Sequence, residues 1–193
     1  MKYLFFDTET TGLPRNYKAP VTDAENWPRL VQLAWILCEA DGTIVEQVDH
    51  IVKPDGWTIG KQASDIHGIT TERAMTEGIP LDQALKRFAR LLYDKGVTLV
   101  AHNIDFDHKI VGAELHRLAW PVSFNGVPMI CTMKASTNYC AIKSEWGYKW
   151  PKLQELHRKL FASNFNEAHN AAADIAATVK CFFELKRLKI LTT

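Results

Sequence analysis

Tyr3-Leu4-Phe5-Phe6-Asp7-Thr8-Glu9-Thr10-Thr11-Gly12 opens the chain with an unbroken apolar run that ends on two acids. Four large apolar residues in succession describe a strand covered on both faces. Residues i and i+2 of a strand share a face, so Asp7 and Glu9 stand side by side with Cα atoms about 6.5–7 Å apart. Two readings of the pair stand. Either the strand stops at Asp7 and both acids are solvated, or they are held beside apolar residues. In the second case repulsion and lost solvation cost on the order of several kcal/mol unless cations bind. A bare Asp-x-Glu favours the first reading; the Thr-Thr-Gly that follows and two further acids in suitable settings favour the second.

Working outward, further Val/Ile/Leu/aromatic runs occupy 30–38, 43–53 and 97–101, with a weaker one near 127–132. Asp41-Gly42 joins the first two of these as a hairpin. Helical periodicity follows. Leu81, Ala84, Leu85, Phe88, Leu91 and Leu92 share one helix face. A second helix starts near Asp105 and gathers Val111, Leu115 and Leu118. A third starts at Pro151, with Leu153, Leu156 and Leu160 inward. The last runs from about Asn170 to Lys189, with Ile175, Val179 and Phe182 inward. Strands first, then strands alternating with helices, predict an α/β fold: a mixed sheet covered by helices. Residues 13–29 hold Pro14, Pro20 and Pro28 without periodicity. Loops of this length are functional covers or mobile surface, and the position directly after the two acids favours a cover.

The chain has 193 residues, of which 47% are hydrophobic and 23% charged, which suits one domain over 1–193 and excludes a disordered chain. Twenty-three Lys+Arg against 22 Asp+Glu leave a formal charge of +1. That excludes a protein gripping polyanions by bulk positive charge, while leaving room for a local patch. No apolar run reaches membrane length, and Asp7 cuts short the first one, which argues against a signal peptide. Cys38, Cys131, Cys140 and Cys181 lack CxxC spacing, so they read as reduced thiols in a cytoplasmic protein and argue against a zinc enzyme. No GxGxxG follows a strand and no GxxxxGK[ST] occurs, which removes the common nucleotide-binding loops.

The second acidic setting is Leu99-Val100-Ala101-His102-Asn103-Ile104-Asp105-Phe106-Asp107, a strand running out into a helix start. Asp107 and Val111 are four apart, so Asp107 rides on the core side of that helix. Asp105 reads as an N-cap or solvated first-turn acid without chemistry, and His102 and Asn103 as turn residues or site residues. The third setting is His169-Asn170-Ala171-Ala172-Ala173-Asp174. Five positions along one helix are about 140° apart, so the two share a site only if Asn170 caps the helix and His169 folds back over Asp174 from the preceding loop.

Asp7-Thr8-Glu9-Thr10-Thr11-Gly12, His102-Asn103-x-x-Phe106-Asp107 and His169-x-x-x-x-Asp174 resemble, in order, the three motifs of the DnaQ-like, DEDDh-type 3′-to-5′ exonucleases. Ile66-His67-Gly68-Ile69-Thr70 is also similar to the pattern between the first two motifs. The resemblance spans nearly the whole chain. It implies a ribonuclease H-like fold, a five-stranded mixed sheet flanked by helices on both faces. It implies that Asp7, Glu9, Asp107 and Asp174 hold two Mg²⁺ or Mn²⁺ ions and that His169 is the general base; a tyrosine there would mark the sister subgroup. It further implies that Thr8, Thr10, Gly12 and Leu13 line the terminal-nucleotide site, and that Ile66, His67 and Phe106 contact or pack near the last bases. Taken alone, Leu13, Ile66 and Phe106 suit core packing equally well.

Four carboxylates balance the charge of two divalent ions, and such ions suit phosphodiester hydrolysis with hard oxygen ligands. The expected substrate is a nucleic acid 3′ end. The Thr-Glu-Thr-Thr-Gly form of the first motif looks more like DNA exonucleases than oligoribonucleases, so single-stranded DNA is favoured over RNA. A non-catalytic relative would lack at least one of the five key side chains, and all five are present. The sequence stops soon after the last helix, which favours a freestanding nuclease, monomeric or homodimeric, over a permanent polymerase subunit. Lys143-Ser144-Glu145-Trp146-Gly147-Tyr148-Lys149-Trp150-Pro151 interleaves aromatics with lysines. Two roles fit it: stacking bases of a single strand, or pinning a loop through buried indoles.

Overall fold

In the computed structural model, which describes residues 1–165 and 171–191, the apolar runs become one five-stranded sheet. Strand β1 (Lys2–Thr10) is central. It pairs antiparallel with β2 (Leu30–Glu39), which pairs antiparallel with β3 (Ile44–Ile51). On its other side β1 pairs parallel with β4 (Val97–Ala101), and β4 parallel with β5 (Met129–Cys131), giving the order β3-β2-β1-β4-β5. Burial follows position. All five residues of β4 and nine of the ten in β2 are buried, whereas the edge strand β3 keeps charges at the surface, Asp49 exposed and Glu46 paired with Arg87. An edge carrying charge discourages pairing with other chains.

The hairpin expected at Asp41-Gly42 is present. Gly42 adopts φ 95°, donates its N–H to the Glu39 carbonyl at 3.0 Å, and Asp41 accepts from the Thr43 N–H at 2.9 Å. The two faces of β1 are covered by different helices. Tyr3 and Phe5 meet Phe182 of α8 (Ala171–Arg187), with ring centroids 4.7 and 5.1 Å apart. Phe6, on the opposite face, meets Phe88 of α3 (Leu81–Leu91) at 5.2 Å. Alternation along one strand thus orders the layers, with Asp7 and Glu9 on the α8 side.

Two short helices precede α3: α1 (Lys61–His67) and α2 (Thr71–Glu77). At seven residues each they are too short for periodicity to reveal, and local signals define them. Gly68 at φ 73° ends α1, and Thr70 caps α2 by accepting from the Arg73 N–H. After β4 comes α4 (Ile104–Arg117); β5 leads into α5 (Thr132–Ala135) and α6 (Thr137–Cys140). A small hairpin, β6 (Lys143–Ser144) with β7 (Gly147–Tyr148), precedes α7 (Leu153–Phe161). The four cysteines are free, and no helix among the described residues is long and apolar enough to cross a membrane.

Residues 13–29 are packed against α4. Trp27 is buried and donates to the Pro20 carbonyl, Asn26 and Asn16 exchange two hydrogen bonds, and Lys109 donates to the Tyr17 carbonyl. Gly112 of α4 leaves room for this loop: a Cβ there would stand 3.0 Å from the Val21 methyl. The loop ends at a buried charge cluster. Glu114, fully buried, accepts at one oxygen from Arg29 Nε and the Leu30 N–H, both at 2.9 Å, and pairs with Arg117 at 3.0 Å. Removing one member of a buried ion cluster strands the others. Glu114→Ala is therefore expected to lower stability by about 3–5 kcal/mol in urea unfolding; a loss below 1 kcal/mol would contradict this role.

Candidate active site

The site forms where β1 and β4 end, at the C-terminal ends of these two interior strands of the sheet. Asp7 and Glu9 lie near the C-terminal end of β1, just before its pairing changes. Between Glu9 and Thr10 the register against β2 slips, Glu9 standing opposite Gln32 and Thr10 opposite Leu30. Such a bulge bends the strand and re-aims its side chains. Asp174, in the first turn of α8, approaches from above. One carboxylate oxygen from each of Asp7, Glu9 and Asp174 lies within 4.8 Å of the other two. This is the arrangement expected of acids gathered for a cation, and it discards the reading in which the first pair is merely solvated.

Asp107 enters from the other side. Asn103 turns the chain at φ 80°, a left-handed conformation that asparagine tolerates, and α4 begins directly after it. Asp107 therefore falls in the first turn, where the helix dipole favours a negative charge. It is buried, and one of its oxygens accepts from the Thr8 N–H at 3.1 Å and the Thr8 hydroxyl at 2.8 Å. Asp107 stands outside the close trio but within its electrostatic reach. Asp105 is the second residue of α4 rather than its cap, and pairs with Lys134.

Burial dominates the protonation of all three strand and α4 acids. It pushes the Glu9 carboxyl up to about 8, with Asp174 and Asp107 adding repulsion. It raises Asp7 well above the usual carboxylate range, helped by Asp107, Asp174 and Glu9. Asp107 rises to about 7 because burial outweighs the Thr8 hydrogen bonds that oppose it. The cluster is unfavourable as four bare anions, and the donors are all hard oxygens. That set fits a hard divalent cation, and among the described residues no nitrogen or sulfur ligand joins it.

The remaining expected residues divide. Thr8 spends its hydroxyl on Asp107, so it positions that acid. Thr10 is buried and donates to the Gly12 carbonyl at 2.6 Å, shaping the turn out of β1. Leu13 and Ile66 are 74% and 60% exposed, which removes core packing as their role. Phe106 is half-buried against the core and faces Tyr17 at 6.4 Å. His67 is buried; its Nδ1 accepts from the Ile69 N–H, and burial lowers its pKa. It lines a cavity of about 270 Å³ together with Gln32, Asp49 and Arg73. Gln32 shares the face of Glu9 only through strand register, so no local sequence signal marks it.

His102 resolves as a structural tie. Its Nε2 lies 2.9 Å from the Pro151 carbonyl and its Nδ1 3.0 Å from the Thr132 hydroxyl. Burial lowers its pKa to about 4, so the ring is neutral near pH 7. A carbonyl only accepts; Nε2 therefore carries the proton and Nδ1 accepts from Thr132. His169 and Asn170 lie outside the described residues.

Residues 4–182 match the exonuclease family model RNase_T. PolC-type DNA polymerase III proteins of Streptococcus thermophilus and Streptococcus sanguinis are 30% and 31% identical over 181 residues. That is 94% of this chain but 11% of theirs, so the chain spans about a tenth of these relatives. Among solved structures, E. coli exonuclease I in complex with a dT13 oligonucleotide is 21% identical with a TM-score of 0.76, covering 97% of this chain and 42% of that one. Exonuclease I from Methylocaldum szegediense is 23% identical with a TM-score of 0.71, covering 96% and 40%. The fold is thus the ribonuclease H-like fold of exonuclease I, as the sequence resemblance implied.

Proposed function

Since this chain belongs to the RNase_T exonuclease family, we propose that it is a DEDDh-type 3′-to-5′ exonuclease, dependent on two divalent cations and releasing mononucleotides from single-stranded DNA. The observation that carries this reading is the convergence of Asp7, Glu9 and Asp174 within 4.8 Å, from a strand and a helix at opposite ends of the sequence. Mg²⁺ or Mn²⁺ held by these groups and Asp107 would neutralise phosphate oxygens, acidify the attacking water and stabilise the leaving 3′ oxygen.

The protein's own groups supply the rest. Asp7, Glu9, Asp107 and Asp174 provide the ligand oxygens, and Thr8 holds Asp107 at a fixed orientation through two hydrogen bonds. His169 takes the proton from the attacking water, a role suited to a reference pKa of about 6.5. Exposed Leu13 and Ile66, with Phe106, present apolar surface on which terminal bases stack, and stacking tolerates any base. Gly12 and the Thr10 backbone shape the pocket for the 3′-hydroxyl. Exonuclease I, whose fold this chain shares, has been crystallised with dT13 and dA16 oligonucleotides, which supports a single-stranded DNA substrate.

The test is to offer end-labelled single-stranded DNA, duplex DNA and RNA to the protein with Mg²⁺, Mn²⁺ or EDTA. The expected products are mononucleotides from the 3′ end of single-stranded DNA, with none in EDTA. Shortening from the 5′ end, internal cuts, or full activity in EDTA would overturn the proposal.

The raised carboxyl pKa values also set a pH dependence. Unfolded, these acids titrate near 4; folded, Asp107 and Glu9 hold protons up to about 7 and 8. Between those limits the folded state binds more protons, so stability falls as pH rises. In EDTA the thermal midpoint should drop from pH 5 to pH 8, by on the order of a few kcal/mol in stability. Saturating Mg²⁺ or Mn²⁺ should remove most of that drop. A cation-insensitive profile would contradict the site.

A further inference from the structure

Charge is unevenly spread along this chain. Residues 139–160 hold five of the 23 Lys+Arg (Lys143, Lys149, Lys152, Arg158, Lys159) and two of the 22 Asp+Glu (Glu145, Glu155), a surplus of three positive charges. The other residues therefore hold 18 cations and 20 anions, a deficit of two. The positive surplus in 139–160 offers a polyanion approaching the acidic site a local attraction.

The same stretch exposes aromatic surface. Residues Lys143–Ser144 and Gly147–Tyr148 form an isolated two-stranded hairpin with Trp146 at its tip. Trp146 is 93% exposed, Trp150 60% and Tyr148 51%. Buried indoles pinning a loop, one of the two roles open from the sequence, are therefore not what the fold builds. A hairpin of this size is marginal by itself, and its foot is fixed elsewhere. Lys149 donates its N–H to the Ile142 carbonyl and its ammonium to Glu155 of α7 at 2.6 Å. Pro151, directly after Trp150, is tied to His102 at the end of β4. Strands β1 and β4 are parallel, so His102 stands at the same sheet end as Asp7 and Glu9. In open α/β sheets that end is where ligands bind. Arg158 and Lys159 line a cavity of about 310 Å³ with Cys140, Ile142 and Glu155 at the foot of the hairpin, where Glu155 is already paired with Lys149.

We propose that the 143–150 hairpin and the basic C-terminal end of α7 form a second binding surface for single-stranded nucleic acid, which holds the strand 5′ of the terminal nucleotide through stacking on Trp146 and Trp150 and phosphate contacts to Lys143, Arg158 and Lys159. This rests on the exonuclease reading of the carboxylate site and extends it. The surface compensates for an active site whose own side chains are acidic, and it keeps a long strand near the site between successive cleavages.

The test uses the full chain carrying Trp146→Ala and Trp150→Ala together. The substituted side chains are exposed, so the thermal midpoint reports folding directly; Trp146→Phe with Trp150→Phe is the rescue. Binding of a fluorescent 20-nucleotide single strand is measured by anisotropy in EDTA, where hydrolysis is off, and hydrolysis of a dinucleotide is measured with Mg²⁺. The expected result is about tenfold or greater weakening of 20-mer binding, restoration by the Phe pair, and an unchanged dinucleotide rate. Salt sensitivity of binding should fall in Lys143→Ala with Lys159→Ala. Unchanged 20-mer binding in the alanine pair would overturn the proposal. So would a change confined to oligomeric state by light scattering, which would make the hairpin a protein interface. Failure of wild type to hydrolyse any strand, with 20-mer binding still dependent on the hairpin, would refute the exonuclease reading and leave the binding surface standing.

Discussion

Asp7→Asn is expected to reduce 3′-end hydrolysis by on the order of a thousandfold or more, the scale of removing a principal electrostatic element from a catalytic site. The substitution preserves shape and removes one charge from the centre of the cluster. Asp7 sits between Glu9, two residues along β1, and Asp174 of α8, with Asp107 adding repulsion from α4. Neutralising it therefore replaces an anionic ligand by a neutral amide and relieves the neighbours at once. Two effects of opposite sign follow from one change: turnover collapses, while the metal-free protein becomes more stable at pH 8. Single-turnover hydrolysis with saturating Mg²⁺ reads the first, and thermal unfolding in EDTA reads the second. Activity within tenfold of wild type would remove Asp7 from the ligand set. Loss of activity with loss of folding would mean that the acid is structural.

His169→Ala is expected to lower the rate by about 10²–10⁴-fold, the usual contribution of a general base. Affinity for Mn²⁺ should be retained, because the ligand oxygens are carboxylates. If His169 is the base, an acid limb of the rate–pH profile present in the wild type at saturating Mg²⁺ should vanish in the residual activity of the variant. These two readouts separate a base from a structural histidine. A collapse of Mn²⁺ affinity, or an unchanged pH profile at a reduced rate, would reassign His169 to holding the site together.

The parts of the fold legible from sequence are those with strong periodicity. The apolar runs before Asp7 and at 97–101 are central parallel strands, and Asp41-Gly42 is a hairpin because its glycine reaches a positive φ. The helices α1 and α2 escaped that reading because two turns hold too few residues to show a face, and their ends are set by Gly68 and the Thr70 cap. At the site, the i, i+2 placement of Asp7 and Glu9 needed only strand geometry. Asp107 needed the left-handed turn at Asn103, which a sequence suggests only weakly. The dependence of Asp107 on Thr8 was not legible, because it requires β1 and α4 to be docked. Nor was the role of His102, whose two partners, Thr132 and Pro151, come from later segments. The buried Glu114 with Arg29 and Arg117 is a similar case: three charges that look solvated along the chain become the anchor of the 13–29 loop.

The most direct measurement is anomalous diffraction from crystals soaked in Mn²⁺. Two manganese ions are expected in the cleft, liganded by carboxylate oxygens of Asp7, Glu9, Asp107 and Asp174 and lost in Asp7→Asn. Carboxylates that stay apart in saturating Mn²⁺, with manganese bound only elsewhere on the surface, would contradict that expectation.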